Sequence, residues 1–123
     1  NEITALPRLL QLLDVKGCLV TIDAMGCQTG IAQQIVEQDG DYLLAVKKNQ
    51  ECLFEDIDHL FKHSNAENFK AEGFDEHRTV GKEHGRLEIR HCQVISAPDW
   101  LDHLRHRRDW KKLHSIVRLC AER

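Results

Sequence analysis

Two carboxylates are placed where they could do chemistry. Asp23 closes the apolar run Cys18-Leu19-Val20-Thr21-Ile22 and is followed by the glycine-containing stretch Ala24-Met25-Gly26-Cys27-Gln28. In open α/β sheets ligands collect at the carboxyl ends of parallel strands, so a carboxylate there could serve a ligand site; capping of a turn accounts for the same residue without a ligand. Glu88 lies in His84-Gly85-Arg86-Leu87-Glu88-Ile89-Arg90. On a strand, Arg86, Glu88 and Arg90 share one face. Such a face could carry a metal on the carboxylate and phosphates on the arginines, or be a salt-bridge ladder facing solvent.

Cations and amides follow the second apolar run. Lys47-Lys48-Asn49-Gln50 could meet a phosphate backbone, or form a solvated turn with Asn49 as a helix cap. The stretch His103 to Lys112 mixes Arg105, Arg107 and Arg108 with Trp110, which suits phosphate contact as well as an exposed helix end. His59 and His63 have the i, i+4 spacing of zinc ligands, but no Glu occupies the HExxH position and no third ligand is near in sequence, so a polar helix face is the expectation. No GxSxG, no phosphate-binding glycine loop and no Cys/His nucleophile arrangement is present. Carboxylate and metal chemistry, or none, is what remains.

The elements that must position these groups follow from periodicity. Ile3, Leu6, Leu9, Leu10, Leu12 and Leu13 recur at helical spacing and predict a helix to about Asp14, with Thr4 as a cap and Pro7 in its first turn. Cys18–Ile22 and Tyr42–Val46 read as strands buried on both faces. Ile31, Ile35 and Val36 mark a helix between them that closes near Gly40, and Leu53, Phe54, Ile57, Leu60 and Phe61 an amphipathic helix starting near Asn49. That order is the βαβ signature of parallel strands. Residues 64–75 read as a loop, Arg78–Val80 and Arg86–Ile95 as a hairpin around Glu83-His84-Gly85, Pro98 to about Leu104 as a short helix and Leu113–Cys120 as a last strand.

The chain has 123 residues, enough for one core. Its longest apolar run, Tyr42 to Val46, is far short of the roughly 20 residues that cross a bilayer. Five cysteines without a CxxC pair read as buried free thiols of a cytoplasmic protein. The net charge is −3, but residues 1–76 hold 6 basic and 14 acidic side chains while residues 100–123 hold 7 and 3, an asymmetry that suits a polyanion-facing end. With no initiator Met, the chain is expected to be a piece of a longer protein.

Four blocks, Asn1-Glu2-Ile3-Thr4-Ala5-Leu6-Pro7, Thr21-Ile22-Asp23-Ala24-Met25-Gly26-Cys27-Gln28, Asp41-Tyr42-Leu43-Leu44-Ala45-Val46-Lys47-Lys48-Asn49-Gln50 and His84 to Arg90, give the sequence a resemblance to DDE-type transposases of bacterial insertion sequences, the group that includes the H-repeat-associated proteins. The resemblance covers residues 1–123 and implies a ribonuclease-H-like mixed sheet flanked by helices, truncated at its amino-terminal end and lacking the first catalytic Asp. It implies Asp23 and Glu88 as catalytic, metal-holding carboxylates, Mg²⁺ or Mn²⁺ as cofactor, and two-metal cleavage and strand transfer in the parent protein, the fragment being inactive alone. It also implies transposon-end and target DNA as partners, held by Lys47, Lys48, Asn49, Gln50, Arg86 and Arg90, and assembly as a homo-oligomer; Arg105, Arg107 and Arg108 are DNA-binding candidates from the basic carboxyl end itself. Lys48 departs from the family's Lys-Gly-Asn-Gln block. A non-catalytic nucleic-acid-binding module or degenerate remnant is the alternative.

Overall fold

The computed structural model describes residues 2–122, side chains excepted at 2–4 and 83. The elements run α1 (Glu2–Leu12), β1 (Leu19–Ile22), α2 (Thr29–Glu37), β2 (Asp41–Leu44), α3 (Glu51–His63), β3 (Phe74–Glu83), β4 (Arg86–Ile95), α4 (Pro98–Leu101) and β5 (Ile116–Glu122). The chain divides into two compact units, residues 1–55 with 105–113, and residues 56–104 with 114–123. The expected mixture of helices, a parallel strand pair and an antiparallel arrangement is present, distributed over two sheets.

In the first unit β1 and β2 pair in parallel, Leu19 opposite Asp41 through Ile22 opposite Leu44, joined by α2 as the βαβ pattern requires. Leu10, Val15, Ile31 and Ile35 form a buried cluster, with Leu6, Val20, Ile22 and Tyr42 packed on it. Two glutamine amides of α2 reach α1: Gln34 Nε2 donates to the Pro7 carbonyl and Gln38 Nε2 to that of Leu10, each at 2.8 Å. Pro7 lies inside α1, beyond the first turn expected for it. Thr4 also falls within α1, and its expected capping side chain lies outside the described ones.

The expectation of strands covered on both faces does not hold. Among the described residues, helices cover the face of Val20, Ile22 and Tyr42, while Leu19 and Leu43 on the other are 62% and 49% exposed. Among the described residues β1 and β2 pair only with each other.

The close of α2 is also displaced by one residue from the sequence reading. Gly40 N–H donates to Ile35 O at 2.9 Å and Asp39 N–H to Val36 O at 3.0 Å, the paired bonds of a Schellman ending, and the left-handed residue is Asp39 (φ 62°). Asp39→Gly is therefore expected to raise stability by about 0.5 to 1 kcal/mol, seen as a higher urea midpoint with an unchanged slope.

In the second unit β3, β4 and β5 form an antiparallel sheet in that order. The hairpin expected from the alternating residues is present but longer at its start, with a turn at His84 (φ 53°) and Gly85 (φ 76°), the two-residue type that matches strand twist. The last strand is shifted to residues 116–122 and the helix after Pro98 stops at Leu101. Ile95, Leu101, Leu104, Ile116, Leu60 and Phe61 are buried. Gln93, a buried polar side chain, accepts two guanidinium bonds from Arg118, which also stands over the Phe61 ring, 5.0 Å from its centroid.

Candidate functional site

Asp23 leaves β1 with extended backbone and enters a 3-10 turn, Ala24–Gly26. One carboxylate oxygen accepts the Met25 N–H at 3.2 Å, so the turn-capping role is real; the other has no hydrogen-bond partner among the described residues. Gly26 permits the turn to lie against β1, because a Cβ there would come within 2.1 Å of Ile22 Cγ2.

The loop after β2 is fastened to this turn. Asn49 Nδ2 donates to the Ala24 carbonyl at 2.5 Å and Gln50 Nε2 to the Cys27 carbonyl at 2.9 Å. These amides, expected either to meet DNA phosphates or, for Asn49, to cap a helix, donate to main-chain oxygens that flank the Asp23 turn, and the residue at the cap position is Lys47. They position the two loops at the carboxyl ends of the parallel strands, with Lys47 and Lys48 left exposed on the second. Sequence reasoning missed this clamp, since its acceptors are carbonyls 25 and 23 residues upstream and no side-chain pattern marks them.

Cys27, next to the clamp, is fully buried. Burial pushes its thiol from 9.0 to about 11, and burial together with the Cys27 charge pushes the Tyr42 phenol from 10.0 to about 12. Tyr42 Oη donates to the Lys111 carbonyl at 2.6 Å. Both groups are held protonated by the fold, so their stabilising contribution is complete below pH 9 and declines as pH rises toward 11 and 12. Urea midpoints are expected to fall over that window. The other thiols correct the buried-cysteine expectation: Cys18, Cys52 and Cys120 are exposed and Cys92 half-buried. At pH 8 an alkylating reagent is expected to modify the exposed three and to reach Cys27 only after unfolding; modification of native Cys27 at their rate would contradict its burial.

Glu88 stands on β4 in the second unit, as its alternation predicts, with Arg86 and Arg90 on the same face. Its Oε1 is 3.3 Å from Arg90 Nε, and its side chain is 15% exposed against 68% for Arg90. Asp23 belongs to the first unit. Among the described residues no three His, Cys, Asp or Glu side chains are grouped to hold a metal ion. Asp23 and Glu88, the two carboxylates that the resemblance assigns, are fewer than the set that a two-metal cage requires. His59 and His63 have ring centroids 4.0 Å apart, and His63 Nδ1 is 3.0 Å from the His59 carbonyl, a local helix-surface pair.

In the basic stretch before β5, Arg105 and Arg108 are exposed, as expected of either a phosphate contact or a helix end. Arg105 Nη2 bonds the Glu55 carboxylate at 3.2 Å and the Cys52 carbonyl at 3.4 Å. Arg107 is half-buried and Arg108 exposed, both in a 3-10 turn. Trp110 is 5% exposed, in no position to stack on a base.

Residues 1–108 match the family model described as Transposase DDE domain. The chain belongs to that family. It is 40% identical over all its 123 residues to an uncharacterized protein encoded in the dhlA 3′ region of Xanthobacter autotrophicus, covering 39% of that protein. It is also similar to two H repeat-associated putative transposases of Escherichia coli K12, YhhI (44% identical, 94% of this chain and 29% of the relative) and YbfD (46%, 82% and 39%). The chain thus spans well under half the length of these relatives. No solved structure matches it.

Proposed function

We propose that this chain is part of the ribonuclease-H-like catalytic domain of a metal-dependent DNA transposase, and that it contributes one metal-holding carboxylate, Asp23. The observation that carries the reading is the Asp23 turn: a carboxylate with one unengaged oxygen, at the carboxyl end of a parallel strand, locked by Asn49 and Gln50 to a loop bearing Lys47 and Lys48. A carboxylate so placed suits a divalent cation and the two ammonium groups suit the phosphodiester it would act on. Mg²⁺ or Mn²⁺, when bound, would activate the attacking oxygen and stabilise the leaving one, which needs further carboxylates beside Asp23. The 123-residue chain alone is accordingly expected not to cleave DNA. Action in the cytoplasm and assembly on paired DNA ends belong to the same proposal.

For Glu88, the ion pair with Arg90 on β4 supports a sheet-face role over metal ligation.

Mn²⁺ titration of the ¹⁵N-labelled chain tests the assignment. Broadening is expected first at the amides of Asp23 to Met25, at weak affinity, and to vanish in Asp23→Asn. Broadening confined to α3 around His59 and His63, or to β4 around Glu88, would overturn it.

A further inference from the structure

We infer that the tip of the β3–β4 hairpin is a DNA-binding element that enters the major groove, separate from the Asp23 turn; the inference rests on the reading of the parent protein as one that handles DNA. The ladder gives the first support. Among the described residues β5 pairs with β4 from Ile89 to Ile95, and residues 81–83 and 86–88, joined by the His84-Gly85 turn, are paired strands of the β3–β4 ribbon. Three residues at about 3.4 Å each project roughly 10 Å, with the strands about 4.8 Å apart. The major groove is roughly 12 Å wide and 8.5 Å deep and admits such a ribbon.

Charge and exposure give the second. Between His77 and His91 the sequence holds four Lys or Arg, two Glu and three His, in a chain whose first 76 residues are strongly acidic. Arg78, Lys82, His84, Arg86 and Arg90 are all exposed, and Arg90 offsets the Glu88 charge. Leu87 at the tip and Val80 just before it are 56% and 63% exposed. Apolar side chains on an exposed tip lower solubility unless something covers them, and thymine methyls in the major groove are apolar partners of the right size.

Gly81 is the third observation. It faces Glu88 across the ladder and, with Thr79, Val80, Lys82, Glu88 and Arg90, lines an open groove of about 340 Å³. A Cβ on Gly81 would meet nothing within 4 Å, and its backbone is not left-handed. Neither packing nor conformation within the fold calls for glycine there. Close approach of an external backbone does, and glycine inside a strand marks such places.

The experiment is fluorescence anisotropy of the 123-residue chain on a 20-base-pair duplex between 50 and 200 mM KCl. Lys82→Ala/Arg86→Ala is expected to reduce the salt slope by about 2 and affinity roughly tenfold or more. Lys62→Ala/Lys70→Ala removes the same charge from surface ion pairs elsewhere in that unit and is expected to leave both nearly unchanged. Gly81→Thr should fold as well as the parent chain, by circular dichroism and urea midpoint, yet bind about tenfold more weakly. Guanine N7 positions should be protected from dimethyl sulfate by the parent chain and not by the tip variant. Equal losses in the two double variants, undiminished binding by folded Gly81→Thr, or absence of N7 protection would each overturn the hairpin assignment. The Mn²⁺ titration reads Asp23 independently, so metal binding there without hairpin-dependent DNA binding removes this inference alone, and the reverse removes the metal assignment alone.

Discussion

In the longer protein that carries this domain, Asp23→Asn is expected to lower metal-dependent DNA cleavage by about a thousandfold, the loss of roughly 4 kcal/mol of transition-state stabilisation that one metal-binding carboxylate can supply. Asparagine is the informative change because its side-chain oxygen can still accept the Met25 N–H bond made by Asp23. The turn stays capped while the charge is removed. Asp23→Ala should be equally inactive and, in addition, less stable by about 1 kcal/mol from the lost cap. Near-normal cleavage by Asp23→Asn would reduce the residue to its turn-capping role. Glu88→Gln is the companion measurement. Paired with an exposed Arg90, Glu88 is expected to change cleavage only a fewfold on substitution, and a thousandfold loss would place it among the metal ligands after all.

Ile35→Ala should give the largest loss of stability. Ile35 is fully buried in α2, in the cluster with Leu10, Val15 and Ile31. Truncation removes three methyl or methylene carbons from a closely packed site and leaves a cavity, a cost of about 2 to 5 kcal/mol. A domain of this size is stable by about 5 to 15 kcal/mol, so the urea midpoint should fall by the corresponding fraction, from about an eighth upward. A shift smaller than about 1 kcal/mol would mean that α2 does not depend on that cluster.

The βαβ order, the amphipathic α3 and the hairpin were legible because each rests on local periodicity. Leu53, Leu60 and Phe61 are buried as their spacing requires, and Arg86, Glu88 and Arg90 share the face that alternation assigns. What escaped the sequence depends on partners distant along the chain. Strands β1 and β2 are as apolar as strands covered twice, yet among the described residues only one face is covered, since coverage is supplied by other elements and not by the strand itself. Trp110 among arginines looks like a stacking residue, and only the fold reveals that it is buried. Asp23 was located by its position after an apolar run, whereas Asn49 and Gln50 were assigned to phosphates or, for Asn49, a helix cap because an amide's acceptor is invisible until the chain has folded.

The clamp that holds the Asp23 turn reads main-chain oxygens and is therefore blind to the side chains it holds. In a saturation-substitution library selected for the native turn, Asn49 and Gln50 should tolerate few replacements, while Ala24, whose carbonyl alone is used, should accept many. Neighbours joined by hydrogen bonds would then differ sharply in freedom to vary, and pairwise covariation between them should be weak.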